Sequence, residues 1–136
     1  MNTKLLNIGY VDDDVVFQVL IKRLTKHFNL VKNIIQFYNA KDALNFLNKN
    51  IDNHDKLPDL LFVDLNMPVM DGWDLVDELI NIENNKPLPI KIYICSSSES
   101  LKDKEKFKKY SRLEQYVVKP LTKNTMEKLL HDVTLH

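Results

Sequence analysis

The stretch Leu60-Leu61-Phe62-Val63-Asp64-Leu65-Asn66-Met67-Pro68-Val69-Met70-Asp71-Gly72-Trp73 decides how this 136-residue chain is read. Four apolar residues of buried-strand type run straight into a carboxylate, Asp64, and a loop with Pro68, Asp71 and Gly72 follows at once. A strand this hydrophobic is a rigid mount for one acid. The same arrangement recurs near the N-terminus, where Leu5 to Val11 reads as a strand that ends at Asp12-Asp13-Asp14. In isolation an Asp-Asp-Asp run is a helix cap with solvated neighbours. Its position directly after an apolar strand, matched by Asp64, calls for a shared explanation.

Working outward, Ile34 to Phe37, Asp59 to Val63, Ile90 to Cys95 and Tyr116 to Val118 read as further strands. Helical spacing falls between them. Asp14 caps a helix with the apolar stripe Val15, Val19, Leu20, Leu24 and Phe28, and Asn39 caps one with Ala43, Leu44, Phe46 and Leu47 inward. Trp73 to Ile82 carries Leu75, Val76, Leu79 and Ile80. A lysine-rich helix spans Leu101 to Tyr110, and Thr122 opens a last one with Met126, Leu129, Leu130 and Val133 inward. Fivefold alternation of strand and helix predicts an α/β fold, a doubly wound parallel sheet covered on both faces. In such a sheet every strand's C-terminal end lies on one edge, where ligands bind. Asp12, Asp13, Asp64, Ser96 and Lys119 each follow a strand directly, so they converge there.

Composition narrows the function classes. Nineteen basic and nineteen acidic side chains cancel, which argues against nucleic acid as a partner. No apolar run reaches the roughly 18–20 residues of a membrane span. The single cysteine, Cys95, excludes an internal disulfide and fits a reducing compartment, so a cytoplasmic domain is expected. The only glycines, Gly9 and Gly72, exclude a glycine-rich nucleotide loop. His27, His54, His131 and His136 are scattered, without the spacing of a transition-metal site.

Three acids gathered at one sheet edge constrain the chemistry. Two carboxylates about 4 Å apart repel by roughly 4 kcal/mol at an effective dielectric of about 20. A hard divalent cation resolves this, and oxygen-only ligands at an open edge select Mg²⁺ with several waters. Lys119 adds a fixed positive charge and Ser96 a hydroxyl donor. A carboxylate facing a metal, an ammonium and a hydroxyl is arranged for phosphoryl transfer, with Asp64 as the nucleophile.

VDDD at 11–14, VDLNMPVMDGW at 63–73, the serine after the fourth strand and YVVKP at 116–120 together resemble a response-regulator receiver domain. The resemblance covers nearly the whole chain and touches every strand end. It implies a flavodoxin-like (βα)5 fold with strand order 2-1-3-4-5, a single receiver domain over 1–136 with no output domain, and a monomer or weak dimer. It also implies that Asp64 accepts a phosphoryl group from a histidine kinase or phosphotransfer protein. Asp13, Asp64 and the Asn66 backbone carbonyl would ligate Mg²⁺, with Asp12 acting through water. Lys119 would pair with phosphoryl oxygens, ahead of a cis bond to Pro120. Ser96 would be the switch hydroxyl, with Ser97 in its place if the strand ends one residue later, and Tyr116 the switch aromatic. The protein target would sit on the face formed by the fourth helix, fifth strand and fifth helix. Gln115 departs from the glycine common before that aromatic, while Asn66 and Ser98 occupy positions that tune phosphoryl lifetime in the family.

Plainer readings stand beside these. Asp71-Gly72 is a turn that opens a helix; Trp73 and Cys95 are packing residues; the lysines of 102–109 are a solvated face that also suits steering of an acidic partner. Two other functions compete: a non-phosphorylated interaction module on the same fold, and an aspartyl-nucleophile phosphatase. The second usually needs an acid two residues after its nucleophile, where this chain has Asn66.

Overall fold

The computed structural model describes residues 4–134, so His136 lies outside it. Five strands alternate with five α-helices: β1 Leu6–Val11, α1 Val15–Thr25, β2 Val31–Phe37, α2 Ala40–Lys49, β3 Leu60–Val63, α3 Gly72–Glu83, β4 Lys91–Ser96, α4 Leu101–Lys108, β5 Leu113–Val118 and α5 Lys123–Thr134. All pairings are parallel and the order is β2-β1-β3-β4-β5, as the resemblance implies.

Period-two alternation builds two apolar layers from the same strands. Ile8, Tyr10, Leu60, Phe62, Tyr93 and Cys95 face one side, where Ile21 of α1 and Met126, Leu129 and Leu130 of α5 cover them. Val11, Leu61, Val63, Ile92 and Ile94 face the other, against α2 and α3. Tyr10, Phe62 and Tyr93 sit opposite one another on adjacent strands and stack, with centroids 5.3 and 5.0 Å apart. Such pairs add about 0.5–1.5 kcal/mol beyond the area they bury. This ladder stiffens the three strands that carry the acids and the serine.

Three expectations from sequence need correction. The stripe assigned to the core side of α1 is largely outward: Val15, Val19 and Leu20 are 60%, 44% and 58% exposed, and Val16 is 67% exposed. The buried residues are Gln18, Ile21 and Thr25. Gln18 and Thr25 bury polar groups because each finds partners: the Gln18 amide donates to the Asp12 and Phe37 carbonyls (3.1 and 2.9 Å), and Thr25 bonds the Ile21 carbonyl and the Tyr10 hydroxyl. Only Leu24 and Phe28 of the predicted stripe pack on the core. Second, the edge strands β2 and β5 begin three residues earlier than their apolar runs, through exposed Lys32, Asn33, Glu114 and Gln115; edge strands carry charge on their open side. Third, β4 ends on Ser96 rather than Cys95, one residue later than expected, yet Ser96 is the buried hydroxyl and Ser97 is exposed, so the longer strand does not move the switch position to Ser97.

Three of the candidate residues, each the first past its strand, are fixed by their own backbone N–H. Asp12 donates to Phe37 of β2 (3.0 Å), Asp64 to Val11 of β1 (3.0 Å) and Lys119 to Ser96 of β4 (2.9 Å). Asp12, Asp64 and Lys119 are thus continuations of the ladder rather than free loop residues. Gly72, the first residue of α3, presses on the Asp64 backbone and donates to the Leu65 carbonyl at 3.1 Å. A Cβ at 72 would lie 2.9 Å from Leu65 Cα and closer still to the Asp64 carbonyl oxygen. Gly72→Ala is therefore expected to cost about 1–3 kcal/mol in urea unfolding and to weaken divalent-metal binding. Unchanged values for both would show that α3 does not set the Asp64 backbone.

Candidate functional site

Carboxylate oxygens of Asp12, Asp13 and Asp64 lie within 4.8 Å of one another. Asp12 and Asp64 are buried and Asp13 is exposed. Lys119 Nζ stands 2.6 Å from Asp12 Oδ2 and 3.8 Å from Asp64 Oδ1, with its side chain 16% exposed. The cluster that sequence placed at one edge is therefore assembled. Its three carboxylates outnumber its one ammonium by two charges, and the donors are all hard oxygens; both features fit a hydrated Mg²⁺.

Burial pushes the Asp64 carboxyl up to about 6, and the neighbouring charge of Asp12 adds to the effect; Lys119 and the Asn66 backbone N–H pull the other way. Asp12 is also raised, by burial first, against the Lys119 and Asp14 hydrogen bonds that lower it. For Lys119, burial works to lower the value, yet the Asp12 hydrogen bond and the charges of Asp12 and Asp64 outweigh it, so the ammonium is held protonated.

The remaining candidates are placed as follows. Ser96 is fully buried, and its hydroxyl accepts from the Ser98 N–H at 3.2 Å. Ser97 is exposed. Tyr116 is half-buried on β5 and donates to the Ser98 carbonyl at 2.8 Å, with Phe107 edge-on at 5.8 Å. Pro120 follows a cis peptide bond. Asn66 is exposed at the pocket rim. In the same loop Val69 has φ 69° and is fully exposed, a left-handed conformation that costs a β-branched residue roughly 1–3 kcal/mol.

Some participants carry no sequence signal of their own. Trp73 is more than packing: its Nε1–H donates to Asp103 Oδ1 (3.3 Å), whose Oδ2 accepts from the Ser98 hydroxyl (2.7 Å). That bridge ties the first turn of α3 to the loop after β4. Asp71 caps α3 in a capping box with Asp74, as the turn reading expected. Gln18 grips the Asp12 backbone from inside α1, and a lone glutamine in an apolar stripe gives no hint of that.

Because the folded-state value of Asp64 (about 6) lies above the ordinary 3.8, the native protein binds the extra proton between these limits. Stability of the metal-free protein is therefore present at about pH 4 and is lost as pH rises towards about 6. Thermal melts should show the wild type losing ground to Asp64→Asn across that window in EDTA, with saturating Mg²⁺ removing the loss. Parallel pH profiles for the two proteins would contradict the assignment.

Comparison with known proteins agrees with this geometry. The family model described as Response regulator receiver domain matches residues 8–131. The chain is 23% identical over 124 residues to a probable methanogenesis regulatory protein, FilR2, of Methanothrix harundinacea, covering 90% of this chain and 77% of that one. It is 27% identical over 110 residues to the sensor histidine kinase CheAY of Helicobacter pylori, covering 81% of this chain and 13% of that much longer protein. Among solved structures, a two-component response regulator from Cytophaga hutchinsonii superposes with a TM-score of 0.81 at 26% identity, over 97% of this chain and 98% of the other. The receiver domain of the Arabidopsis thaliana histidine kinase CKI1, complexed with Mg²⁺ and BeF3⁻, gives 0.77 at 20% identity over 96% and 92%, a likeness of fold. With strand order, strand-end acids and family match in agreement, the chain belongs to the response regulator receiver domains of two-component signalling.

Proposed function

We propose that Asp64 accepts a phosphoryl group from the phosphohistidine of a histidine kinase or phosphotransfer protein, in a Mg²⁺-dependent reaction. Modification then switches a protein-binding surface around Ser96, Tyr116, α4, β5 and α5. The observation that carries this reading is the position of Lys119 Nζ between Asp12 and Asp64 inside a cluster of acids. An Asp64 oxygen attacks phosphorus, a P–O bond forms, and the P–N bond breaks with its electron pair on the departing imidazole. Lys119 neutralises phosphoryl oxygens from one side. When bound, Mg²⁺ supplies the remaining positive charge, and Asp13, Asp64 and the Asn66 carbonyl are the groups that would hold it, with Asp12 acting through water.

Donor approach is supported by α1. Val15, Val16, Val19 and Leu20 form an exposed apolar ridge on the helix that begins two residues after Asp13. A ridge of this kind suits the apolar flank of a helical donor bringing its phosphohistidine to the pocket. The switch is supported by the Tyr116–Ser98 bond and the Ser98–Ser96 contact, which join the buried hydroxyl to the surface aromatic. Turnover of small phosphate esters is disfavoured because Asn66 cannot donate the proton an acid would.

Incubation with acetyl phosphate and Mg²⁺ should give a slower band on a phosphate-affinity gel for the wild type, and none for Asp64→Asn or in EDTA. A wild type left unmodified by several small donors would favour the non-phosphorylated interaction module. For α1, Val19→Glu should slow transfer from a phosphorylated histidine phosphotransfer domain at least tenfold and leave acetyl phosphate labelling unchanged. Equal slowing with both donors would remove the ridge from the docking account.

A further inference from the structure

The segment that supplies Asp12 also supplies an aromatic wall for the lysine. Lys119 Nζ lies 4.3 Å from the centroid of the Phe17 ring, over its face. The ammonium is thus bounded by Asp12 Oδ2 at 2.6 Å, Asp64 Oδ1 at 3.8 Å and a π face. Phe17 is itself held on two sides. Its backbone N–H donates to Asp14 Oδ1 at 3.1 Å in the N-cap of α1, and its ring meets Tyr10 edge-on at 6.5 Å. Tyr10 is buried within the stacked aromatic ladder. Asp14 and Tyr10 therefore fix Phe17, and Phe17 limits where the lysine can go.

We infer that Phe17 is a positioning residue for Lys119: its ring face holds the ammonium against Asp12 and Asp64, so that the charge stands in place before a phosphoryl donor arrives. The inference rests on the phosphoacceptor reading for its effect on rate, though not for the contact itself. A lysine side chain free in solvent samples many rotamers, and ordering it costs entropy. A site that must recover this at each encounter loses rate relative to one already ordered. A cation–π contact at a largely desolvated site is strong enough to hold most of that order. The ring also shields the ammonium from water, which strengthens its attraction to the carboxylates. Unlike Asp12 and Asp64, Phe17 carries no charge and no metal-binding atom, so its effect is separable from metal binding.

The test uses Phe17→Leu, Phe17→Tyr and Phe17→pentafluorophenylalanine, the last keeping ring shape while withdrawing the negative face. Two readouts are compared. The first, in the unmodified protein, is the upfield NMR shift that a ring face imposes on the Lys119 ε-CH₂, with the water-exchange rate of its ammonium protons. The wild type and Phe17→Tyr should show the shift and slow exchange; Phe17→Leu should lose both, and the pentafluoro variant should exchange faster. The second readout is labelling of Asp64 by acetyl phosphate. It should fall about tenfold for the leucine and pentafluoro variants and stay within twofold for tyrosine, with Mg²⁺ affinity unchanged. A pentafluoro variant equal to wild type in both readouts would overturn the role. So would loss of Mg²⁺ affinity in step with the rate, which is what a merely structural residue produces. A wild type with the NMR signature but no labelling by any donor would overturn the phosphoacceptor reading and leave the positioning contact standing.

Discussion

Burying an ammonium beside two carboxylates is tolerable only where the backbone holds all three within bonding distance. The Lys119–Asp12 pair at 2.6 Å is that constraint here. Removing one partner of such a pair leaves an uncompensated charge, at a cost of about 3–5 kcal/mol. The backbone meets the demand by continuing its hydrogen-bond ladder one residue past each strand: Phe37 holds Asp12, Val11 holds Asp64 and Ser96 holds Lys119. Sheet order follows functional need, since Asp12 and Asp64 belong to neighbouring strands and Lys119 reaches them from the edge strand β5. The remaining imbalance, acids over ammonium, is one that a divalent ion would offset, and burial together with the neighbouring Asp12 charge holds the Asp64 carboxyl above the usual carboxylate range.

Most of this arrangement was legible in the sequence because it obeys a rule of topology. In a parallel sheet a polar residue just after an apolar run must lie on the ligand edge, so Asp12, Asp64, Ser96 and Lys119 could be placed without knowing a single distance. Two kinds of feature were not legible. One is burial decided by partners rather than polarity: Gln18 and Thr25 go inward because carbonyls await them, and Val15, Val19 and Leu20 are left outward. A periodicity argument counts apolar side chains and so selects the wrong face of α1. The other is contact across chain distance. Nothing near Gly72 announces that a Cβ there would strike the Asp64 backbone, and nothing near Phe17 announces Lys119.

α1 gathers several of these threads. Its N-cap is the third aspartate of the acidic run, its buried glutamine braces the carbonyl of the first, and its Phe17 covers the lysine. Its outward valines are the ridge assigned to donor docking. On the opposite side, Trp73, Asp103, Ser98 and Tyr116 form a chain of hydrogen bonds from the start of α3 to β5. Trp73 also stacks on Tyr110 and lies under Lys106. The acids therefore sit between a helix suited to receiving a donor and a polar network that reaches the surface of α4.

The most direct measurement is chemical location of the modified residue. Protein treated with a phosphoryl donor and Mg²⁺ is reduced with borohydride, which converts an aspartyl phosphate to homoserine, and is then sequenced by peptide mass spectrometry. Homoserine at position 64 alone is the predicted result. Homoserine at position 12 or 13, with Asp64 recovered intact, would contradict the central claim.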